Sequence, residues 1–250
     1  MPLRKNIVIT GASSGLGEGL ARSFAAGGRN LALAARRLDR LEALAEELRS
    51  LHGVRVVTRS VDVNDHAQVF SAFGEFRDEL GTLDRVIVNA GINIGQSLGT
   101  GNFDSNRKTI ETNLLGALAQ VEAAVEIFRD QNAGHLVVMS SLGAVRGMPG
   151  HLNAYNASKA GLSSLSTGLR VELQGSPIKI TTLQPGYIES ELNDVLQIDR
   201  PHVSTAEEGV KGLVRAIESE TSKATVPRLP WQLISLLMRV LPEKRLTILT

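Results

Sequence analysis

The chain of 250 residues carries 27 lysines and arginines against 26 aspartates and glutamates, a formal net charge of +1. So balanced a charge provides no strong field for nucleic acid or for an anionic membrane. The absence of cysteine excludes disulfides and cysteine-ligated metal sites. No apolar run is long enough to span a bilayer, and the N-terminus resembles neither a signal nor a transit peptide. We therefore expect a cytoplasmic protein without a transmembrane segment.

Strand-like and helix-like segments alternate along most of the chain. Short apolar runs predict strands at 7–9, 31–35, 54–58, 85–88, 135–139 and 178–183, and a further strand at 224–226. Helical periodicity predicts helices at 18–26, 38–51, 65–80, 106–129 and 155–173. Repeated strand–helix–strand units with short loops imply an α/β fold: a doubly wound parallel sheet with helices on both faces, in a single domain over residues 1–250.

Two segments depart from this alternation. The segment 191–220 looks helical and is predicted either to cover a substrate pocket or to be a surface excursion. The segment 228–250 is an apolar tail with a helix at 231–241, in which Arg239 is the only charge. This helix could pack on a partner subunit, roof an apolar substrate pocket or make peripheral contact with a membrane surface. Its low charge favours burial against protein.

A glycine-rich turn follows the first strand and opens the first helix. Glycines allow the backbone to turn tightly and to approach a ligand closely, and a helix N-terminus offers free N–H groups to a phosphate. The context predicts a dinucleotide site, and the absence of a Gly-Lys-Ser/Thr sequence disfavours a nucleoside triphosphate loop. The residues expected to bind the cofactor here are Gly11, Ser13, Ser14, Gly15, Leu16 and Gly17.

The end of the second strand indicates which dinucleotide binds. An acidic residue there would select NAD(H) through the ribose 2′-hydroxyl, whereas this chain has Arg36 and Arg37. A guanidinium matches a phosphate in bidentate fashion, so we predict NADP(H), with Arg36 as the first choice for the 2′-phosphate. The alternative is that both arginines are solvated, and Asp39, the nearest carboxylate, begins the next helix.

Tyr155 and Lys159 lie four residues apart, on one face of a predicted helix. An ammonium about 4 Å from a phenol, at an effective dielectric of about 20, contributes roughly 4 kcal/mol. That attraction lowers a tyrosine pKa by up to about 3 units and produces a proton donor usable near neutral pH. The alternative for this spacing alone is a packed tyrosine beside a solvated lysine.

The motifs together resemble those of the classical short-chain dehydrogenase/reductase family, over about residues 5 to 190. The resemblance implies a Rossmann-type sheet of about seven strands and assigns further roles by matching position. Asn113 would order a water in a proton relay, and Ser141 would position the substrate oxygen. The remaining residues implied in cofactor binding are Asp62 and Val63 at the adenine, Asn89, Ala90 and Gly91 beside the ribose, Tyr155 and Lys159, and Pro185, Gly186, Ile188 and Ser190 at the nicotinamide.

The function that the resemblance implies is an NADP(H)-dependent oxidoreductase that interconverts a ketone or aldehyde with a secondary alcohol. Tyr155 would donate the proton, Lys159 would lower its pKa, and no metal is needed. The alternative is a non-catalytic regulator or scaffold that uses the same fold. That alternative predicts the loss of a catalytic group, whereas Asn113, Ser141, Tyr155 and Lys159 are all present.

The interval between Ser141 and Tyr155 is one residue longer than is usual in the family. We place the extra residue at 150–154 and expect the loop to bulge there, with Ser140 as the fallback for Ser141. His151 and Asn153 lie beside this bulge and could touch substrate, although a solvent-facing loop is the simpler interpretation for His151.

Apolar residues in three loops predict an apolar carbonyl or alcohol substrate. The loops are 92–100, 142–154 and 187–205, and the alternative is ordinary packing. Relatives commonly form homodimers or homotetramers through the helices at 106–129 and 155–173, and the resemblance implies the same here. The apolar residues expected in the pocket are Ile92, Ile94, Leu98, Leu142, Val145, Met148, Leu152, Tyr187, Leu192, Val195 and Leu196.

Overall fold

The computed structural model describes residues 3–189, 191 and 203–242. Within them a seven-stranded, all-parallel sheet forms in the order β3-β2-β1-β4-β5-β6-β7. The strands are β1 (Asn6–Thr10), β2 (Asn30–Ala35), β3 (Val56–Ser60), β4 (Arg85–Val88), β5 (Gly134–Met139), β6 (Ile178–Pro185) and β7 (Lys223–Val226). This confirms the doubly wound Rossmann-type α/β fold in a single domain.

The helices flank the sheet on both faces. They are α1 (Gly15–Ala26), α2 (Leu38–His52), α3 (His66–Leu80), α4 (Phe103–Ile110), α5 (Gly116–Gln131), α6 (Leu152–Glu172), α7 (Ala206–Glu218) and α8 (Trp231–Val240). A π-helical turn at Glu111–Leu115 joins α4 to α5, so the long helix predicted at 106–129 is three consecutive helical pieces. In the described part of the chain, no helix has both the length and the apolar character needed to cross a membrane.

Two apolar layers cover the two faces of the sheet. Along β1, Val8 packs into one layer while Ile7 and Ile9 pack into the other, as the alternation of a strand requires. Helices α3, α5 and α6 belong to the first layer, and α1, α2 and α7 belong to the second. Because both faces are covered, the strands consist of nearly continuous apolar residues, which is why they could be predicted from the sequence.

The strand order reverses between β1 and β4. The chain builds the sheet outward from β1 to β3, then crosses back to place β4 on the other side of β1. The loops that follow β1 and β4 therefore diverge and leave a crevice at the carboxyl ends of these strands. A ligand site is expected at this crevice in any doubly wound sheet.

A buried ion network lies at the opposite, amino-terminal edge of the sheet. Arg85 is 1% exposed, and its Nε donates to His135 Nδ1 at 2.8 Å. Its Nη1 pairs with Glu218 Oε1 at 2.8 Å, while Arg4 Nε donates to Glu220 Oε1 at 2.8 Å. Since Nδ1 accepts from an arginine, the His135 proton sits on Nε2, which lies 2.9 Å from the Thr181 hydroxyl.

This environment keeps the His135 ring neutral. Burial, followed by the positive charges of Arg85 and Arg4, lowers the pKa of His135 from 6.5 to about 2. Protonation would place a third positive charge beside two arginines and would remove the acceptor that Arg85 uses.

We predict that acid destabilises the protein through His135. The unfolded chain takes up a proton at this histidine below about pH 6.5, whereas the folded chain does not. The free energy of unfolding should therefore fall by about 2 to 3 kcal/mol from this group alone between about pH 6.5 and 4.5. Urea unfolding of the wild type and of His135→Asn at both pH values measures the effect.

His135→Asn should be less stable at neutral pH. Its free energy of unfolding should change less steeply with pH than that of the wild type, because the unfolded chain takes up about one proton fewer. His52→Asn, at the exposed end of α2, is the matched control and should keep the wild-type slope. An equal dependence of the free energy of unfolding on pH in the wild type and in His135→Asn would contradict the prediction.

Candidate active site

The glycine turn is shaped by close backbone contacts. Gly11 and Gly15 have φ values of +64° and +55°, in the left-handed region that favours glycine. A Cβ on Gly17 would lie 2.3 Å from the Gly11 carbonyl oxygen, so Gly17 packs against the turn and does not line the crevice. The other predicted residues of the turn, Gly11, Ser13, Ser14, Gly15 and Leu16, do line it.

Helix α1 presents its N-terminus to the crevice. Ser14 is the N-cap residue, yet its side chain makes no capping hydrogen bond to the helix. The first backbone N–H groups of the helix therefore have no cap from this side chain and face the crevice, where an anionic group would satisfy them. This arrangement fits the pyrophosphate of a dinucleotide.

The segment after β4 completes the same crevice. The Asn89 amide donates to the Thr10 carbonyl oxygen at 2.9 Å, which ties the end of β4 to the glycine turn. Ala90 and Gly91 line the cavity, and a Cβ on Gly91 would lie 3.0 Å from Asn113 Oδ1 and 3.4 Å from Lys159 Nζ. Asp62 and Val63 line the cavity on the side of β3.

The two arginines after β2 differ in their contacts. Arg36 is exposed, whereas Arg37 donates to the Ser14 hydroxyl at 2.6 Å and to the Ser13 hydroxyl at 3.2 Å. Both line the cavity, but Arg37, the second choice from the sequence, is the one in contact with the glycine turn.

Glu191, which was not predicted as a site residue from the sequence, also lies at this corner of the cavity. Glu191 Oε2 lies 3.3 Å from Arg37 Nη1, and its Oε1 lies 2.8 Å from Arg40 Nη1. The hydrogen bond from Arg40, with smaller contributions from Ser14 and Arg37, lowers the pKa of the Glu191 carboxyl. The carboxylate thus stands between two guanidinium groups, in a place where those groups could otherwise hold a phosphate.

Tyr155, Lys159 and Ser141 converge deeper in the cavity. The Ser141 hydroxyl is near enough to the Tyr155 phenol to lower its pKa, and Lys159 Nζ lies 5.9 Å from the centre of the Tyr155 ring. Ser140 is directed elsewhere, because its hydroxyl donates to the Lys159 carbonyl oxygen at 2.9 Å behind the site. The geometry therefore favours Ser141 over the fallback Ser140 as the hydroxyl beside the phenol.

The pKa of Tyr155 differs from the sequence-based expectation. Desolvation raises the pKa of the phenol, and the Ser141 hydrogen bond lowers it by less. Lys159 donates from Nζ to the Met139 carbonyl oxygen at 2.9 Å, and burial lowers its own pKa to about 8. Burial therefore outweighs the expected lowering of the phenol pKa.

Asn113 stands behind these residues, in the π-helical turn. Its Oδ1 accepts from the Ile92 N–H at 2.8 Å and its Nδ2 donates to the Ile92 carbonyl oxygen at 2.8 Å. The side chain is therefore committed to the loop after β4, and it is fully buried. Asn113 fixes this loop beside Lys159.

The extra residue before Tyr155 is accommodated at the start of α6. Gly150 has a φ of +72°, and the helix begins at Leu152, three residues before the predicted start at Tyr155. Asn153 folds back so that its Nδ2 donates to the Gly150 carbonyl oxygen at 3.0 Å. Ser141 still reaches the Tyr155 phenol, so the insertion does not separate the pair.

The cavity has a volume of about 900 Å³ and continues from the glycine turn into an apolar chamber. The predicted residues that line it are Ile92, Ile94, Leu142, Met148, Leu152 and Tyr187, with Pro185, Gly186 and Ile188 from the loop predicted to hold the nicotinamide. Leu98 lines a second cavity, and Val145 packs behind Leu142. Ser190, Leu192, Val195 and Leu196 lie outside the described residues.

Helix α8 forms part of the chamber wall through Trp231, Ile234 and Met238. The Trp231 indole packs on Gly186, where a Cβ would lie 2.5 Å from the ring, and its centre lies 5.3 Å from that of Tyr187. One of the three alternatives that the sequence leaves open for this helix is that it roofs an apolar pocket, but the sequence does not show which of its residues would line that pocket. Helix α7, by contrast, packs on α1 and contributes no residue to the chamber.

Comparison with known proteins identifies related oxidoreductases. An oxidoreductase of Mycobacterium tuberculosis (strain ATCC 25618 / H37Rv), described only as uncharacterized, is 51% identical over 242 residues, which are 96% of this chain and 95% of the relative. The 11-beta-hydroxysteroid dehydrogenase 1A of Arabidopsis thaliana is 40% identical over 189 residues, 75% of this chain and 53% of that protein.

Among solved structures, the fold resembles an alcohol dehydrogenase from the archaeon Thermococcus sibiricus in complex with 5-hydroxy-NADP. The TM-score is 0.80 at 26% sequence identity, over 96% of this chain and 99% of the other. The model of the short chain dehydrogenase family matches residues 5–201, which include the glycine turn, Ser141, Tyr155 and Lys159. The chain therefore belongs to the short-chain dehydrogenase/reductase family and is an oxidoreductase of that family.

Proposed function

We propose that the protein is an NADP(H)-dependent oxidoreductase that interconverts a ketone or aldehyde with a secondary alcohol on an apolar substrate. The observation that carries the proposal is that Ser141, Tyr155 and Lys159 line the same cavity as the glycine turn, with the Ser141 hydroxyl near enough to lower the pKa of the Tyr155 phenol. A dinucleotide held at the turn reaches along this cavity toward the phenol. Both halves of the reaction, the redox group and the proton donor, thus share one enclosed space.

The chain's own residues position the substrate and manage the proton. When bound, the nicotinamide supplies the hydride to a carbonyl carbon, or accepts it from an alcohol carbon. The Ser141 hydroxyl donates a hydrogen bond to the carbonyl oxygen, and the Tyr155 phenol donates its proton to the same oxygen. Lys159, with a pKa of about 8, keeps its positive charge at neutral pH and favours the phenolate that remains.

Asn113 supports this proton path from behind. Its amide is fixed to both backbone groups of Ile92, so the loop that carries Gly91 is held beside Lys159. A water ordered in the adjoining π-helical turn would return a proton to the Tyr155 phenolate by way of Lys159 after each turnover. No metal is required, because the proton donor and the hydroxyl together polarise the carbonyl.

NADP(H) is favoured over NAD(H) by the cations at the end of β2. Arg37 contacts the glycine turn, and Arg40 lies close enough to share the Glu191 carboxylate with it. Guanidinium groups in this arrangement suit a 2′-phosphate, and Arg36 adds a further positive charge at the cavity rim. The 5-hydroxy-NADP in the structure from Thermococcus sibiricus supports the same choice.

The chamber beyond Tyr155 favours an apolar substrate such as a steroid-like, acyl or aromatic ketone. Its wall combines leucine, isoleucine and methionine side chains with the Trp231 indole and the Tyr187 ring. The steroid dehydrogenase from Arabidopsis thaliana, at 40% identity, is consistent with a substrate of this class. Apolar burial, not charge pairing, would then provide most of the affinity for the substrate.

We also propose a homodimer or homotetramer that acts in the cytoplasm. A second cavity of about 770 Å³ lies between α4 and α6, and exposed apolar residues surround it, among them Phe103 and Leu115. Association of two copies through α4 and α6 would cover these exposed apolar residues. The segment 228–250 is proposed to form a wall of the substrate chamber through α8, and the segment 191–220 is proposed to reach the cofactor through Glu191.

Replacement of Tyr155 by phenylalanine should remove the proton donor and leave the cavity intact. With NADPH and a panel of apolar ketones, we expect kcat to fall by roughly 10²- to 10⁴-fold. The dissociation constant for NADPH, measured by fluorescence, should stay close to that of the wild type. Tyr187→Phe removes the other tyrosine hydroxyl from the same cavity and should keep most of the activity. Full turnover by Tyr155→Phe would exclude the mechanism.

Replacement of Arg37 by alanine should reduce selectivity for the 2′-phosphate. A lost charge-assisted hydrogen bond weakens NADPH binding by roughly 10- to 100-fold, while NADH binding should change little. Titration of both cofactors against Arg36→Ala and Arg37→Ala ranks the two arginines, with exposed Arg55→Ala as the control. A wild-type protein that prefers NADH over NADPH would refute the assignment.

Replacement of Glu191 by glutamine should strengthen NADPH binding. The carboxylate holds Arg37 and Arg40, so a 2′-phosphate must displace a like charge to reach them. We expect several-fold tighter NADPH binding and unchanged NADH binding, because a neutral amide competes less for a guanidinium. Glu189→Gln, two residues earlier, is the matched control. Weaker binding of NADPH by Glu191→Gln would show instead that the carboxylate helps to hold the cofactor.

A further inference from the structure

Helix α8 is apolar on two sides. Its inner side carries Trp231, Ile234 and Met238 toward the substrate chamber. Its outer side is exposed, with fractional exposures of 63% at Leu233, 62% at Leu236, 44% at Leu237 and 71% at Val240. The spacing of three, one and three residues places these four on one stripe of the helix.

Leu229, which is 66% exposed, extends the stripe just before the helix. A contiguous apolar patch of this kind on a folded protein marks an interaction surface. We call the five residues Leu229, Leu233, Leu236, Leu237 and Val240 the outer face.

The segment around the outer face is positively charged. Residues 221–242 contain Lys223, Arg228 and Arg239 and no aspartate or glutamate, although the whole chain has a net charge of only +1. Among the described residues, the ion pairs of the structure involve none of these three cations. Burial, followed by the charges of Arg239 and Arg170, lowers the pKa of Lys223, as expected where like charges approach each other.

We infer that the outer face, with its three cations, rests on the surface of an anionic lipid bilayer. Ten residues of helix extend about 15 Å, half the thickness of the hydrocarbon core, so α8 lies in the plane of the surface and does not span it. Leucine and valine side chains then enter the acyl boundary, while lysine and arginine pair with lipid phosphates.

A second copy of the chain fits this surface less well. A two-fold symmetric contact sets the same patch against itself, so Lys223, Arg228 and Arg239 would face their own copies with no carboxylate on either segment to pair them. An anionic surface matches both the apolar stripe and the charge. The balanced charge of the whole chain conceals this local excess.

The position of α8 gives the docking a consequence that rests on the proposed function. The helix whose outer face contacts lipid is also a wall of the substrate chamber, through Trp231, Ile234 and Met238. An apolar substrate dissolved in the bilayer would therefore approach the chamber without crossing bulk water. The docking itself requires no particular reaction, so the two ideas can fail separately.

Flotation of the full-length protein with vesicles tests the inference. One set contains phosphatidylcholine alone, and the other contains phosphatidylcholine and phosphatidylglycerol in equal parts. We expect binding to the anionic vesicles, weak binding to the neutral ones, and a decrease at high salt. The variant Leu233→Gln/Leu236→Gln should bind the anionic vesicles at least about 10-fold more weakly, because each leucine loses its transfer to an apolar phase.

Two further variants separate the contribution of the cations to vesicle binding from that of the apolar side chains. Lys223→Gln/Arg228→Gln/Arg239→Gln should lose the preference for anionic vesicles, by roughly fivefold per cation, and Leu51→Gln on exposed α2 should bind as the wild type does. Thermal unfolding verifies that each variant is folded, and light scattering reports oligomeric state.

Absence of wild-type binding to anionic vesicles would overturn the inference. So would equal binding by the leucine variant and the wild type. A change in oligomeric state in the leucine variant, without loss of vesicle binding, would assign the outer face to a second copy of the chain. Reductase activity on a water-soluble ketone is measured in parallel, because its absence would count against the proposed function and leave the vesicle result unaffected.

Discussion

The contact between the glycine turn and the end of β4 is the constraint on which the site depends. Gly17 leaves no room for a side chain, since a Cβ there would lie 2.3 Å from the Gly11 carbonyl oxygen and 2.7 Å from the Asn89 amide. Because the backbones touch, the N-terminus of α1 opens directly on the crevice between β1 and β4. The same segment after β4 carries Gly91 to Lys159, so one contact aligns both ends of the cavity.

The two edges of the sheet use charge in different ways. At the amino edge, Arg85 and His135 are buried and paired and Glu220 is partly buried, so any change of protonation there costs folding free energy. At the carboxyl edge, Arg37 and Glu191 are paired but substantially exposed to solvent, so the pair can exchange partners at little cost. A stable network anchors the strands at the amino edge, and an exchangeable one lies at the carboxyl edge, where the proposed cofactor would bind.

Local signals made the fold predictable from the sequence. Apolar runs marked the strands, and the glycine turn with Tyr155 and Lys159 identified the family. The start of α6 was not predictable, because it depends on the left-handed Gly150 and on the backbone contact of Asn153. Contacts between residues far apart in the chain could not be predicted from the sequence either.

Burial raises the pKa of Tyr155, and Lys159 Nζ donates to the Met139 carbonyl oxygen, and the four-residue spacing reveals neither. The network of Arg4, Arg85, His135 and Glu220 joins residues far apart in the chain.

The contact of Trp231 with Gly186 also joins distant parts of the chain, and it has a consequence for fluorescence. Trp231 is the only tryptophan of the chain, so all indole emission arises beside the substrate chamber and the nicotinamide loop. The protein therefore carries a built-in fluorophore at the point where α8 meets the cavity that is proposed to hold cofactor and substrate.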